Sequence, residues 1–179
     1  MVADPITLII TTAVLILFFL YLGFGPLPSL NKTMSWQAIN QYPSNDWAVA
    51  ETGTKGKDYT LLRINQGLEA AIGHPDYPIR IGITIPVSSV EDASPTLNAL
   101  EDAVSARLEQ NGEGVEVLVI TRLDGQQFKE YVFYVKTTVN PKTLREDLQK
   151  EFSSLDIQFY AENDPSWSVF KEYLAKLTP

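Results

Sequence analysis

"VEVLVITRLDGQQFKEYVFYV", residues 115–135, is the stretch that decides how this chain folds. Two runs rich in Val, Ile, Tyr and Phe flank Asp124-Gly125, a dipeptide suited to a tight reversal. The stretch predicts a β-hairpin with strands at 115–122 and 128–135. Immediately before it, "SPTLNALEDAVSARLEQNG" (94–112) repeats Leu97, Leu100, Val104 and Leu108 at helical spacing. Ser94 is placed to cap that helix, Pro95 to open it and Gly112 to end it. Further back, "RIGITIPV" (80–87) alternates as a strand does, with Ile81, Ile83, Ile85 and Val87 on one face. On the other side of the hairpin, Asn140-Pro141 opens a second helix carrying Leu144, Leu148 and Phe152, and "LDIQFYA" (155–161) reads as a last strand.

The order over residues 80–161 is therefore β-α-β-β-α-β, which predicts an α+β fold with a ferredoxin-like split layer. Right-handed crossovers put both helices on one face of the sheet. The pleat predicts a core of Ile81, Ile83 and Ile85; Val115, Val117 and Val119; Tyr131, Phe133 and Val135; and Leu155, Ile157 and Phe159. The opposite face carries Arg80, Leu118, Ile120, Val132, Tyr134 and Tyr160, with Glu116, Glu130 and Asp156 among them. Half of it is apolar, too much to be left wet. It is expected to be covered by the remaining elements or to serve as a partner face.

Two elements remain. "DWAVAETG" (46–53) and "YTLLRINQGL" (59–68), joined by "TKGK", predict an N-terminal β-hairpin. "NDPSWSVFKEYLAKL" (163–177) predicts a C-terminal helix with Asp164 as its cap and Pro165 at its first position. Trp167, Phe170, Leu174 and Leu177 then form one apolar stripe, expected to lie on or beside the leftover patch.

Several of these segments together resemble the bacterial domain-of-unknown-function family 695. They are "RINQGL" (63–68), "LNALEDAVSARL" (97–108), "DGQQF" (124–128), "FYV" (133–135) and "NDPSWSVF" (163–170). The resemblance covers roughly residues 45–177. Gln126-Gln127 and Phe170 depart from it, where a more basic stretch and a tyrosine are usual. It implies a domain type in which Asp164, Pro165, Trp167 and Phe170 are structural, and it implies no activity and no catalytic residue.

Composition narrows the function classes. The chain of 179 residues carries a net charge of −8, and its 14 Lys and Arg are scattered among 22 acids. That balance repels a phosphate backbone and argues against nucleic acid. Glu116, Glu130 and Asp156 beside Tyr134 and Tyr160 argue against RNA on the sheet face. There is no cysteine, which removes disulfides, thiolate metal sites and thiol nucleophiles. With one histidine, His74, sites needing two or more imidazoles are excluded too. No metal or cofactor motif is present.

Residues 6–24, "ITLIITTAVLILFFLYLGF", are 19 residues without a charge, and 13 of them are Leu, Ile, Val or Phe. At 1.5 Å per residue the run nearly spans a hydrocarbon core of roughly 30 Å. "MVADP" lacks the basic start of a signal peptide, and no small-x-small cleavage site follows. The expectation is a single-pass anchor over 1–25 with the lipid bilayer as partner of 6–24. A Pro/Gly juxtamembrane linker follows over 26–44 and the α+β domain occupies 45–179, with the first residues of the domain expected near Trp36. Lys32 lies on one side of the run and Asp4 on the other, which favours a cytoplasmic domain in the cell membrane.

His74 in "GHPDYP" has Asp76 two residues on and could act as a general base. The pattern fits an exposed turn better, because no nucleophile elbow accompanies it. Glu91-Asp92, Glu101-Asp102 and Glu146-Asp147 are adjacent acids, and neighbours on a helix diverge by about 100°. The sequence thus favours a non-enzymatic domain that binds a protein or small ligand near the membrane. An enzyme using carboxylates and His74, and an assembly module pairing through a strand edge, are the alternatives.

Overall fold

The computed structural model describes residues 35–54, 58–87, 95–124 and 126–177. Contacts divide the chain into two units, Met1–Ser35 and Trp36–Pro179. The anchor expected at 6–24 lies outside the described residues. Among those described, no helix is long and apolar enough to cross a membrane.

The second unit is an α+β domain with one six-stranded antiparallel sheet. Its strands are β1 (Trp47–Thr52), β2 (Tyr59–Asn65), β3 (Ile79–Pro86), β4 (Gly114–Asp124), β5 (Gln126–Val135) and β6 (Gln158–Asn163). The helices are α1 (Pro95–Leu108), α2 (Pro141–Glu151) and α3 (Ser168–Ala175), with short 3-10 turns at Ile39–Gln41 and Gln66–Ala71. The sheet order is β1-β2-β4-β5-β3-β6, so β3 sits between β5 and β6, both remote from it in sequence. The N-terminal hairpin extends the sheet beyond β4.

Helix starts follow local chemistry. Asn140 caps α2, its side chain accepting from the amides of Lys142 at 3.1 Å and Thr143 at 3.2 Å. Pro141 stands where a missing N–H leaves no bond unmade.

Two apolar clusters lie on opposite faces of the sheet. One joins Leu97, Leu100, Val104 and Leu108 of α1 and Leu144 and Leu148 of α2 to Ile81, Ile83, Ile85, Val119, Tyr131, Phe133 and Val135. Both helices thus cover one face, and burying each aliphatic side chain stabilises the fold by about 1.5–3 kcal/mol relative to exposure. The hydroxyl of Tyr131 donates to the carbonyl of Leu97 at 3.0 Å, tying the sheet to α1. The second cluster joins Leu62, Ile64, Leu118, Ile120, Val132 and Tyr134 of the sheet to Leu68, Ala71, Trp167 and Phe170.

Val115 and Val117 belong to this second cluster, opposite to the face that strict alternation gives them. The cause is a register shift in the β4–β5 ladder between Glu116 and Leu118. One extra residue in β4 resets the pleat, so Glu116 turns toward α1 while Val115 and Val117 turn away. Part of the expected linker is also built into the domain. Ile39 is buried in the second cluster with Tyr42 packed against it, and Trp36 lies on His74 with ring centroids 5.1 Å apart.

Candidate functional site

The segment after β6 gathers the residues singled out near the C-terminus. The Asp164 amide donates to the Pro78 carbonyl at 2.8 Å, and the Trp167 amide returns to the Asp164 carbonyl at 3.0 Å, closing a turn over Pro165-Ser166. The helix therefore begins at Ser168, three residues later than expected, and Pro165, the expected first position, lies in the turn ahead of it. Asp164 still supplies the cap. Its carboxylate accepts from the amides of Ser168 at 2.9 Å and Val169 at 3.3 Å, from the Tyr134 hydroxyl at 2.7 Å and from the Ser166 hydroxyl at 3.2 Å. Burial alone would raise this carboxyl. The Tyr134 hydroxyl and the donors of Ser168 and Val169 outweigh it and hold the pKa at about 2.

Trp167 takes a left-handed backbone, φ 55°, which is rare for a large side chain and holds the indole over the sheet. Its ring stacks on Tyr134 at 4.2 Å and 8°, its N–H donates to the Tyr77 carbonyl at 2.9 Å, and Phe170 meets it edge-on at 6.0 Å. Tyr134, Trp167 and Phe170 are fully buried. The cluster is a latch between α3 and the sheet.

That latch closes much of the face offered by the sequence to a partner. Leu118, Ile120, Val132 and Tyr134 are buried by the chain's own elements, so they present nothing to another molecule. The apolar face had to be covered, and Leu68, Ala71, Trp167 and Phe170 cover it. Arg80 and Tyr160 remain half-buried and are engaged with each other. The Arg80 guanidinium pairs with Glu162 and lies 5.2 Å over the Tyr160 ring. The Tyr160 hydroxyl donates to Glu130 at 2.6 Å. Tyr160 packs on bare backbone at Gly82, where a Cβ would come within 2.1 Å of its ring.

His74 is buried, 3% exposed, where the sequence favoured an exposed turn. Its Nε2 bonds the Gln37 carbonyl at 2.9 Å, and its Nδ1 accepts from the Asp76 amide at 3.2 Å. That pairing matches the tautomer with its proton on Nε2. Trp36, Tyr42 and Tyr77 surround it. An Asp76 amide, and no carboxylate, is its polar neighbour within the loop, so the arrangement pins the segment before the first 3-10 turn to the loop before β3.

The adjacent acids diverge. Glu101 points inward to Arg63 at 3.1 Å and Lys129 at 3.6 Å, while Asp102 is exposed. Glu146 and Asp147 are exposed on α2. Glu91 and Asp92 lie outside the described residues. Among the described residues no group of three or more His, Asp or Glu could hold a metal ion.

Sequence reasoning missed Glu116. The bulge turns its carboxyl under α1, where it is 5% exposed and one of its oxygens has no hydrogen-bond partner. Its amide donates to Glu109 at 3.0 Å and its carbonyl accepts from Asn65 at 3.2 Å. Burial pushes the carboxyl well up, Glu101 and Glu109 add to that, and Arg63 and Lys129 oppose it. An acid inside "VEVLV" was the available signal, but simple alternation set it on the opposite face, beside Leu118 and Ile120.

Open features of the described residues include a groove and a strand edge. A groove of about 480 Å³ runs between the second 3-10 turn and α3, floored by Ile72, Leu174 and Leu177 and rimmed by Gln66, Glu69 and Lys171. The outer edge of β1 carries Val49, 63% exposed.

The latch, the two-faced sheet and the N-terminal hairpin all fall inside residues 45–175, and over that span the chain matches the model of a family of unknown function. The chain belongs to DUF695. That membership gives a domain type without an activity. Neither the curated proteins nor the solved structures gave a match.

Proposed function

We propose that this chain is a single-pass membrane protein that presents its DUF695 domain, built on a ferredoxin-like β-α-β-β-α-β layer, as a non-enzymatic binding module beside the bilayer. The uncharged run at 6–24 supports the tether, and Lys32 after it favours the cytoplasmic side. The observation that carries the non-enzymatic reading is the placement of the only imidazole. His74 is buried among aromatic rings with both nitrogens bonded, so it has no lone pair or proton to offer a substrate. Asp164 is equally engaged, with four donors on one carboxylate. The groove rimmed by Gln66, Glu69 and Lys171 supports binding of a protein segment or small ligand, because its floor is apolar and its rim polar.

Two measurements test this. The full-length chain should stay in the membrane pellet after alkaline carbonate washing and leave only with detergent; recovery in the aqueous phase overturns the tether. His74 should resist diethyl pyrocarbonate in the native chain and react after denaturation, read by mass on the single histidine peptide. Rapid native modification would reopen the enzymatic alternative.

A further inference from the structure

The six residues of β1, WAVAET, hydrogen-bond to β2 on one side and to no described strand on the other. Edges of this kind are usually blunted by lysine, proline or a bulge, because a bare row of N–H and C=O groups templates another strand. Here none of these devices is present: the run has no lysine or proline, and its pairing with β2 is regular from Trp47 to Thr52. Val49 stands at its middle, 63% exposed.

We infer that β1 is a self-pairing edge, and that its partner is β1 of a second copy of this chain, antiparallel across a two-fold axis at Val49. This goes beyond the binding role proposed above and does not depend on it. The complementarity is in the sequence of the strand. With the axis at Val49, the two Val49 side chains face each other. Ala48 of each copy then faces Ala50 of the other, so two small pairs meet on the opposite side of the ladder. Trp47 faces Glu51 of the second copy. The Arg63 guanidinium, paired with Glu101 at 3.1 Å, already lies 4.9 Å over the Trp47 ring, so the incoming carboxylate shares a cation on an aromatic platform. Glu51 is the only charge on the strand, and this register sets it away from its own copy across the axis. Two six-stranded sheets would become one continuous sheet with both α1 helices on the same side, because a two-fold axis normal to a sheet preserves its faces. The chain's net charge of −8 opposes approach of two copies, so added salt should strengthen the pairing.

The chain has no native cysteine, which makes the test direct. Val49→Cys and, as control, the exposed opposite-edge Ala161→Cys are made in the full-length chain in detergent. Facing residues of an antiparallel pair have Cα atoms about 4.5–5.5 Å apart, within disulfide range. Under mild oxidation Val49→Cys should give a covalent dimer at least tenfold faster than Ala161→Cys. In parallel, sedimentation equilibrium should show a dimer whose dissociation constant rises at least tenfold in Val49→Lys, a surface change that leaves the domain folded by circular dichroism. Equal cross-linking of the two cysteines overturns the inference. So does a wild-type monomer across the accessible concentrations, or a dimer that survives Val49→Lys and is therefore held elsewhere.

Discussion

Replacing Asp164 with Asn isolates the charge of the latch. The side chain keeps its shape and one carbonyl oxygen but loses the anion that four donors face. The folded-state pKa of about 2, against 3.8 for a free carboxyl, corresponds to roughly 2 kcal/mol of stability at neutral pH. The new amide group also sets a donor against the Val169 amide or the Tyr134 hydroxyl, so the total loss at pH 7 should be about 2–3 kcal/mol. Because folding lowers this pKa, the contribution is fully present above about 3.8 and fades as pH falls toward 2. The gap between wild type and Asp164→Asn should therefore narrow by roughly 2 kcal/mol over that window. Urea unfolding at a series of pH values, followed by tryptophan fluorescence, measures it, since Trp167 loses its stacking on Tyr134 when the latch opens. Two pH profiles that run parallel from 7 to 2 would refute the reasoning, because the carboxylate would then be no better held in the fold than in the open chain.

The other expectations concern neighbouring features. Trp167→Ala should cost about 3–5 kcal/mol in urea unfolding, since it removes a fully buried ring, its stack on Tyr134 and its bond to Tyr77; an unchanged midpoint would show that α3 is not held by the indole. Folding raises the Glu116 pKa, so that carboxyl favours the fold at low pH, and its contribution declines as pH climbs above about 4.5. Glu116→Gln should flatten that decline in unfolding measured from pH 4.5 upward, and an unaltered slope would count against a neutral buried acid. Gly82→Ala should cost about 1–3 kcal/mol, because the added methyl meets the Tyr160 ring at 2.1 Å and must drive its hydroxyl off Glu130. A neutral effect on melting would mean that the ring moves aside freely.

The α+β body was legible in the sequence because its signals are local. Asn140-Pro141, the Leu97 to Leu108 spacing and the Ile81 to Ile85 alternation each name an element without outside help, and all three stand in the structure. The need to cover the second face was legible too, from the apolar content around Leu118, Val132 and Tyr134. What escaped was set by residues distant in sequence. The bulge at Val117 depends on how β4 meets β5, and no pattern within "VEVLV" announces it, so Glu116 was assigned to the face of Leu118 and Val132, opposite to α1. His74 looked exposed because its cage comes from Trp36, Tyr42 and Tyr77, two of them more than thirty residues upstream. Asp164 was recognised as a cap, but the left-handed turn at Trp167 moved the helix start past Pro165. The candidate partner residues were legible as apolar, while their concealment required knowing where α3 lands.

The contacts of Asp164 and Trp167 have a consequence for the order of assembly. A helix of eight residues is far too short to persist alone in water. The groups that begin it come from Tyr134, 30 residues back, and Tyr77, 90 residues back. The last helix therefore acts as a check on completion: it winds only once the central strands have closed upon each other, and a chain that stalls earlier keeps its C-terminal segment unwound and its aromatic seat bare for proteases and chaperones to find.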